Sequence, residues 1–402
     1  MSQYFENLCA EAQKSGSDFV VEILNRILQH AATTEVSDVH FQPEKDGIEI
    51  RFRQNGVLQV FGHLESEYAA QIAARLKVLA HLLTYKTDTP QEGRVRGGVI
   101  PQITKEMRIS TVATLYGERV VVRFFAEKNT FQYPSELGFS PEILDGLLRS
   151  LMKNSGAILI TGPSGSGKTT TAYALLRELV DHGEMIRSVI TLEDPVEHAI
   201  EHVAQIEVSE RNPLSLDEMI KYMLRQDPEV LFVGEIRDKK TAEASLQAAL
   251  TGHLLITTFH AGSAVEAVGR LCEIGIEPFV LQSSISQVLC QRLLRRLCPN
   301  CAEIKSEPIT VTLAGELHEL SRYALPKGCS KCNGSGYASR ILLAETLPLD
   351  HGEIMRAILD RRDTHAIHEI AIKHDMTPMS TQAASLLEAQ VTSPAEVRRV
   401  LG

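Results

Sequence analysis

The sequence predicts an α/β chain, with a smaller α+β domain ahead of a parallel-sheet core. Three observations carry this. Near residue 137 the hydrophobic pattern changes from helices mixed with hairpins to strands alternating with helices. The Gly-rich stretch GPSGSGKT (162–169) follows an apolar run, AILI, and precedes a helical one, TTAYALLRELV. Two CxxC pairs, Cys298/Cys301 and Cys329/Cys332, interrupt the last third of the chain.

Taken in order, residues 1–16 read as a short extension. SDFVVEILNRILQH (17–30) is an amphipathic helix that Ser17 or Asp18 can cap, with Val20, Val21, Leu24, Ile27 and Leu28 along one side. VSDVHFQ and GIEIRFRQNGVLQVFGH alternate apolar and polar residues, and Asn55-Gly56 signals a hairpin turn. YAAQIAARLKVLAHLL returns to helical period, and 93–125 is β-like again. Residues 17–130 therefore read as one α+β domain. FQYPSELGFSP, rich in Pro and Gly, places a hinge at 131–137.

From 138 to 297 the candidate strands are 157–160, 188–194, 229–235 and 253–259, with helices between them. That is the pattern of a parallel sheet with crossovers, as in an α/β nucleotide-binding core. Cys272 and Cys290 lie in apolar helical patterns and read as core residues; Cys9 stands apart. Residues 298–340 form a cysteine-bearing module, and 341–402 read as helical (GEIMRAILDRR, DTHAIHEIAIK, TQAASLLEAQ).

GPSGSGKT fits G-x-x-x-x-G-K-[ST] in the strand–loop–helix setting that a phosphate loop requires. Glycines let successive backbone N–H groups curl around phosphates, and the helix N-terminus adds partial positive charge. Lys168 is placed to reach the β and γ phosphates, and the Thr169 hydroxyl to hold Mg²⁺. ITLEDPVEH (190–198) ends a strand in Glu193 and Asp194, at the strand end where open α/β sheets bind ligands. EVLFVGEIRD (229–238) ends an apolar strand in Glu235, which suits a carboxylate facing Mg²⁺ or polarising water; Gly234 stands where Asp is usual. His253 and His260 flank the strand in TGHLLITTFHAGSA (251–264). A strand-terminal Glu alone is more often a solvated end, and a lone His more often structural. Behind a phosphate loop, in this order, the set outweighs those readings. Arg94, Arg96, Arg108, Arg119 and Arg123 lie in β-like segments. Singly they are surface charges; together they can neutralise transferring phosphoryl groups, in cis or from a neighbouring subunit. The paired CxxC units point to four-thiolate Zn²⁺, with a redox pair or vestigial cysteines as alternatives.

With 402 residues, the chain exceeds one ordinary core. A net charge of −10 argues against whole-surface attraction to nucleic acid or anionic lipid. No window approaches 18 apolar residues, and the N-terminus lacks a basic-then-apolar signal pattern. A cytoplasmic protein is expected, meeting a membrane only through partners.

The motifs together resemble the type II/type IV secretion superfamily of hexameric ATPases. The branch they look most like is that of general secretion pathway protein E and the type IV pilus assembly ATPases. GPSGSGKTTTAY is similar to the family's phosphate loop, ITLEDPVEH to its Asp box, LRQDPEVLFVGEIRD to its Walker B and TGHLLITTFHAGSA to its His box. VSDVHFQP, TPQEGRV and RISTVATLYGERVVVRFF resemble its N-terminal regulatory, PAS-like domain, and CQRLLRRLCPNC with GCSKCNGSGYASRILLAE its tetracysteine module.

The resemblance implies a RecA-like ATPase domain and a ring of six chains working with inner-membrane platform and docking proteins, without specific nucleic-acid binding. ATP, Mg²⁺ and Zn²⁺ are the implied cofactors. It implies nucleotide contacts from Gly162, Pro163, Ser164, Gly165, Ser166, Gly167, Lys168, Thr169 and Thr170. Glu235 matches the catalytic acid and Glu193 the Asp-box acid, while His253 and His260 match the His box. Arg108 and Arg123 match nucleotide-reaching arginines of the N-terminal domain; Arg225, Arg237 and Arg340 match arginines further on. The chain departs from the pattern at Lys221, where Arg is usual, and in the wording FHAGSA. It also lacks the extra N-terminal docking domain usual in the branch. The implied function is pseudopilin or pilin assembly. Alternatives are a pilus-retraction or DNA-uptake motor, and a nucleotide-binding scaffold of a larger secretion ATPase.

Overall fold

A computed structural model describes residues 2–14, 18–34, 36–125, 131–183, 185–208, 214–313, 315–349 and 352–402. The chain forms two compact units, Met1–Asn129 and Thr130–Gly402. Ser17, offered above as a cap, and the boundary at 130 lie outside the described residues.

The first unit runs α1 (Ser2–Lys14), α2 (Phe19–Thr33), β1 (Val36–Glu44), β2 (Gly47–Gln54), β3 (Val57–Leu64), α3 (Ala69–Leu79), β4 (Gln91–Val95), β5 (Met107–Thr114) and β6 (Gly117–Phe124). Asp18 caps α2 by accepting from the Val20 amide at 2.9 Å. Asn55 and Gly56 both take positive φ, as a two-residue hairpin turn requires. The six strands pair antiparallel in the order β3-β2-β1-β6-β5-β4. Val39, Phe41, Ile109, Val120 and Val122 face the helices, leaving Asp38, His40, Arg108 and Arg123 on the opposite face.

Residues 2–14 are not a free extension. Phe5, Leu8 and Ala12 of α1 fall on one helical stripe and are buried in the same core as Ile23, Leu24 and Ile27 of α2. With only three apolar positions, that stripe is too sparse to stand out in the sequence.

The second unit runs α4 (Pro141–Leu151), β7 (Gly156–Thr161), α5 (Lys168–His182), β8 (Val189–Glu193), β9 (Ala204–Glu207), α6 (Leu216–Met223), β10 (Val230–Val233), α7 (Lys239–Leu250), β11 (Leu254–Phe259), α8 (Ala264–Glu273), α9 (Pro278–Ser284) and β12 (Ile285–Leu297). Four short strands follow, β13 (Glu303–Lys305), β14 (Ile309–Leu313), β15 (Glu316–Leu320) and β16 (Tyr323–Leu325). Then come β17 (Tyr337–Leu347), α10 (Gly352–Leu359), α11 (Thr364–Lys373), α12 (Met379–Glu388) and α13 (Pro394–Leu401).

Its main sheet has the order β17-β12-β7-β11-β10-β8-β9, parallel except for β17. Strands β7 and β11 are buried at every residue because helices cover both faces, which is why they read as nearly continuous apolar runs. Ile158 and Ile160 pack towards α4 and α5, while Ala157 and Leu159 pack towards the helices of the other face. On α5 the expected stripe of Ala172, Leu175, Leu176 and Leu179 is buried, each leucine contributing about 1.5–3 kcal/mol.

Two expectations fail here. The segment holding Cys290 is not helical: 285–297 is strand β12, wedged between β7 and β17. Its Gln, Leu and Arg residues favour helix locally, and sheet pairing on both sides overrides that preference. Nor are residues 341–402 purely helical, since Ile341–Leu347 continue β17 antiparallel to β12. Cys290 is core nonetheless, and burial pushes its thiol up to about 12, with the nearby Glu345 carboxylate adding to the rise. Cys272, on α8, is half-buried.

The carboxylate of Glu396 on α13 is fully buried against β12. It accepts from Arg295 Nε (2.9 Å) and Nη2 (2.7 Å) and from Arg399 Nε (2.8 Å) and Nη2 (2.6 Å). Burial alone would raise its pKa; the arginines reverse this and leave it lowered. A lowered folded-state pKa means the stabilisation is complete above the unfolded value, ~4.3, and is lost as pH falls through the folded value. Glu396→Ala should destabilise this unit by about 3–5 kcal/mol, because it strands the largely buried Arg295 guanidinium. Glu396→Gln should flatten the acid limb of the stability profile. Urea melts between neutral pH and pH 3 check both; an unchanged acid limb in Glu396→Gln would assign the acid loss to other groups. Among the described residues, no helix is long and apolar enough to cross a membrane.

Candidate functional site

The parallel strands bring the carboxyl ends of β7, β8, β10 and β11 to one edge of the sheet. Thr161 pairs with Phe259, and Leu192 with Val233, so Gly162, Glu193, Glu235 and His260 emerge there together. Gly162, Gly165 and Gly167 have φ of 144°, 75° and 92°. Such values suit glycine, and they fold 162–167 into a loop that ends at the N-terminus of α5. A Cβ on Gly162 would sit 2.4 Å from the Gln291 carbonyl oxygen, so the loop lies directly on β12.

Lys168 Nζ donates to the carbonyls of Gly162 (2.8 Å) and Pro163 (3.0 Å), across the mouth of the loop. Burial lowers its pKa, and the Glu235 carboxylate pulls it back up. Its hydrogen bonds among the described residues go to neutral carbonyls, and a cation so held is set to exchange them for anionic oxygens. Ser166 Oγ is buried in the loop with no protein partner among the described residues. These features fit a phosphate chain.

The two acids differ. Glu193 is 3% exposed, and both its oxygens are engaged. It accepts from the Tyr173 hydroxyl, from Thr191 Oγ1 at 2.5 Å and from Gln205 Nε2 at 3.1 Å. Burial, then the Glu193 carboxylate, pushes the Tyr173 phenol up, which keeps it a donor. Glu235 is the open acid, its side chain 31% exposed. It accepts from Arg237 Nε at 2.6 Å, and Arg237 also reaches Asp194 at 3.5 Å. Thr258 Oγ1 donates to the Gly234 carbonyl at 2.6 Å, tying β11 to the turn that carries Glu235.

His260 is exposed at this edge, and its backbone carbonyl accepts from Arg270 at 3.0 Å. His253 is not brought to it. It precedes β11 at the amino edge, the length of a six-residue strand or roughly 20 Å away. There its Nδ1 lies 3.0 Å from the Ala248 carbonyl at the end of α7. Arg225 is likewise on the amino side, between α6 and β10, stacked 4.2 Å over the Tyr222 ring. The sequence motif is shared by both ends of a strand, and only the sheet direction separates them. Lys221 is exposed and pairs with Asp217 at 3.5 Å. Arg340 is exposed and pairs in register with Arg295, beyond the phosphate-loop edge.

Arg108 and Arg123 belong to the first unit, directly opposite each other on β5 and β6. With Asp38, His40, Arg53 and Glu92 they line an open cleft of 420 Å³. Arg123 is bonded to Asp38 at 2.7 Å and Arg108 to Glu92. His40 Nδ1 accepts from Arg119 at 3.0 Å; burial first, then the Arg119 charge, lowers its pKa.

Sequence reasoning missed Gln291 and Tyr173. Each is a polar side chain at a buried position, and its residue type in the sequence names neither a partner nor a direction.

The four cysteine sulfurs lie within 4.8 Å of one another. Sγ–Sγ distances are 3.9 Å (Cys298–Cys329), 3.8 Å (Cys301–Cys332) and 3.7 Å (Cys329–Cys332). A tetrahedron with metal–sulfur bonds of ~2.3 Å has edges of about 3.8 Å, so the cluster fits Zn²⁺. Burial opposes a thiolate at Cys332, but the amides of Cys329 (3.1 Å) and Gly336 (3.2 Å) donate to its sulfur and lower its pKa overall.

A family model described as type II/IV secretion system protein matches residues 13–399. A putative type II secretion system protein E of Escherichia coli K12 is 37% identical, over 87% of this chain and 71% of its own length. The type II secretion system protein E of Klebsiella pneumoniae is 35% identical over 95% and 76%. The type IV pilus assembly ATPase TfpB of Acinetobacter baylyi is 34% identical over 95% and 65%. The solved structure of the Legionella pneumophila ATPase DotB shares the fold, with a TM-score of 0.68 at 20% identity over 94% of each chain. The phosphate-loop edge with its paired acids thus sits in a chain matched from near its start to near its end, and the chain belongs to the type II/IV secretion system protein family.

Proposed function

We propose that this chain is a Mg²⁺-dependent ATPase that works as a hexameric ring and drives pseudopilin or pilin assembly. One observation carries the chemistry: Lys168, Glu193 and Glu235 converge at one edge of the parallel sheet. ATP with Mg²⁺ supplies the phosphoanhydride and the metal charge when bound. The loop amides and Lys168 bind the phosphates, with contacts along 162–170, and the Thr169 hydroxyl is the protein's ligand to Mg²⁺. Glu235, the open acid, accepts a proton from the attacking water. Glu193, locked by Tyr173, Thr191 and Gln205, holds the second negative charge of that edge in place. His260 stands beside it. Arg237 moves between its two carboxylates and the phosphate charge; Arg108, Arg123 and Arg340 add cations, from the same or a neighbouring subunit.

Relatives named for type II secretion and for type IV pilus assembly support the cellular role, with the ring acting in the cytoplasm on inner-membrane platform and docking proteins. Zn²⁺ in the cysteine cluster is structural, since four thiolates leave no open position. Purified chain should carry one zinc per chain, and Co²⁺ in its place should give thiolate charge-transfer bands. Cys298→Ser should abolish tetrahedral loading; full loading of that variant would remove Cys298 from the site. The overall test is ATP turnover by purified protein, followed in cells by gene deletion. Loss of surface filaments or secretion supports assembly, whereas hyperpiliation would assign retraction instead.

A further inference from the structure

We infer that Gln291 is a positioning residue for the phosphate loop, and that through it β12 couples the loop to the cysteine cluster. Gln291 is 1% exposed. Its Nε2 donates to the Ser166 carbonyl at 2.8 Å, and its Oε1 accepts from the Thr171 hydroxyl at 2.9 Å. Its own carbonyl packs against Gly162. One residue of a neighbouring strand therefore touches the start of the loop, its far end and the first turn of α5. Breaking these contacts leaves the Gln291 amide, the Ser166 carbonyl and the Thr171 hydroxyl buried and unsatisfied, so the residue ties the loop to the strand.

The same strand ends at Leu297, roughly 20 Å from Gln291 in an extended chain, and Cys298 follows directly. The strand is held along that length. Its pairing with β17 runs from Val288–Leu347 to Leu297–Tyr337. Arg295 is fixed by Glu396 and stacks 3.9 Å from the Tyr337 ring centre. The Tyr337 hydroxyl lies 2.6 Å from Ser393 Oγ. The Cys298 amide donates to the Gly336 carbonyl at 2.9 Å, and the Gly336 amide donates to Cys332 Sγ at 3.2 Å. The cluster thus closes the open end of the β12–β17 pair. Four thiolates on one ion hold that end shut; with four free thiols, the strand pairing and the Arg295, Tyr337 and Cys298 contacts must resist fraying towards Gln291 without that clamp. Metal in the cluster therefore lowers the opening of the phosphate loop, and by linkage a ligand in the loop raises the cluster's equilibrium affinity for metal by the same factor.

The inference rests on 162–169 being a phosphate loop, but its test needs no nucleotide. Hydrogen exchange is measured on the full chain, zinc-loaded and after chelation. Protection of 162–171 and 285–297 should fall by about 5-fold or more on metal removal, in the range of ordinary coupling energies, while β8 stays unchanged. In Gln291→Leu, which keeps the volume, metal removal should still loosen 323–337 but no longer alter 162–171. Unchanged protection of 162–171 in the natural chain would overturn the inference, as would a chain that takes up no zinc, or a Gln291→Leu chain with the coupling intact. If that variant does not fold, the two states of the natural chain still decide. Failure to bind ATP would sink the ATPase reading and leave this result standing.

Discussion

Glu235→Gln is expected to slow ATP hydrolysis by about 10²–10⁴-fold while leaving ATP affinity nearly unchanged, the signature of losing a general base rather than a binding contact. The geometry selects Glu235 over Glu193. Glu193 already accepts three hydrogen bonds and is 3% exposed, which leaves it little access to an attacking water. Glu235 is partly open and, among the described residues, is hydrogen-bonded by Arg237, a cation that is itself 65% exposed and able to swing away. Gln keeps the shape and the hydrogen-bonding carbonyl but cannot take a proton. Phosphate release at saturating ATP, with affinity measured separately by a fluorescent analogue, separates the effects. Turnover within a few-fold of the natural chain would exclude Glu235 as the base.

The second large effect is on binding. Lys168→Ala should weaken Mg-ATP affinity by about 30-fold or more, since removing one partner of a desolvated charge pair costs roughly 2–5 kcal/mol. The half-buried amine now rests on two carbonyls, which are weaker partners than phosphate oxygens, so phosphate is the better match. Titration calorimetry gives the number. Lys168→Arg should recover little, because the wider guanidinium cannot fit between Gly162 and Pro163 as a point charge. Equal affinity in Lys168→Ala would place the phosphates elsewhere.

Much of the site was legible because its signals are local. A phosphate loop depends on backbone conformation within eight residues, so its glycines and lysine appear as one motif. The CxxC pairs are equally compact, and the tetrahedral sulfur spacing follows from bringing two of them together. Glu193 and Glu235 were visible as acids ending apolar strands. Less legible was anything depending on a partner far along the chain. Tyr173 and Glu193 meet through the packing of α5 on β8, and Gln291 meets the loop only because β12 lies beside β7. The segment 285–297 has the local preferences of a helix, and its place in the sheet made it a strand.

From the sequence alone came the chain's two-part α/β organisation, its phosphate loop, its four metal-type cysteines and its resemblance to secretion ATPases. Each rests on residue types at short, fixed spacings. The tertiary structure decided which end of each strand faces the loop. It set His260 at the phosphate-loop edge and His253 at the other, and it closed Glu193 while leaving Glu235 open. Those choices depend on strand direction and burial, which arise only when distant segments pair, and a sequence pattern carries no record of that direction.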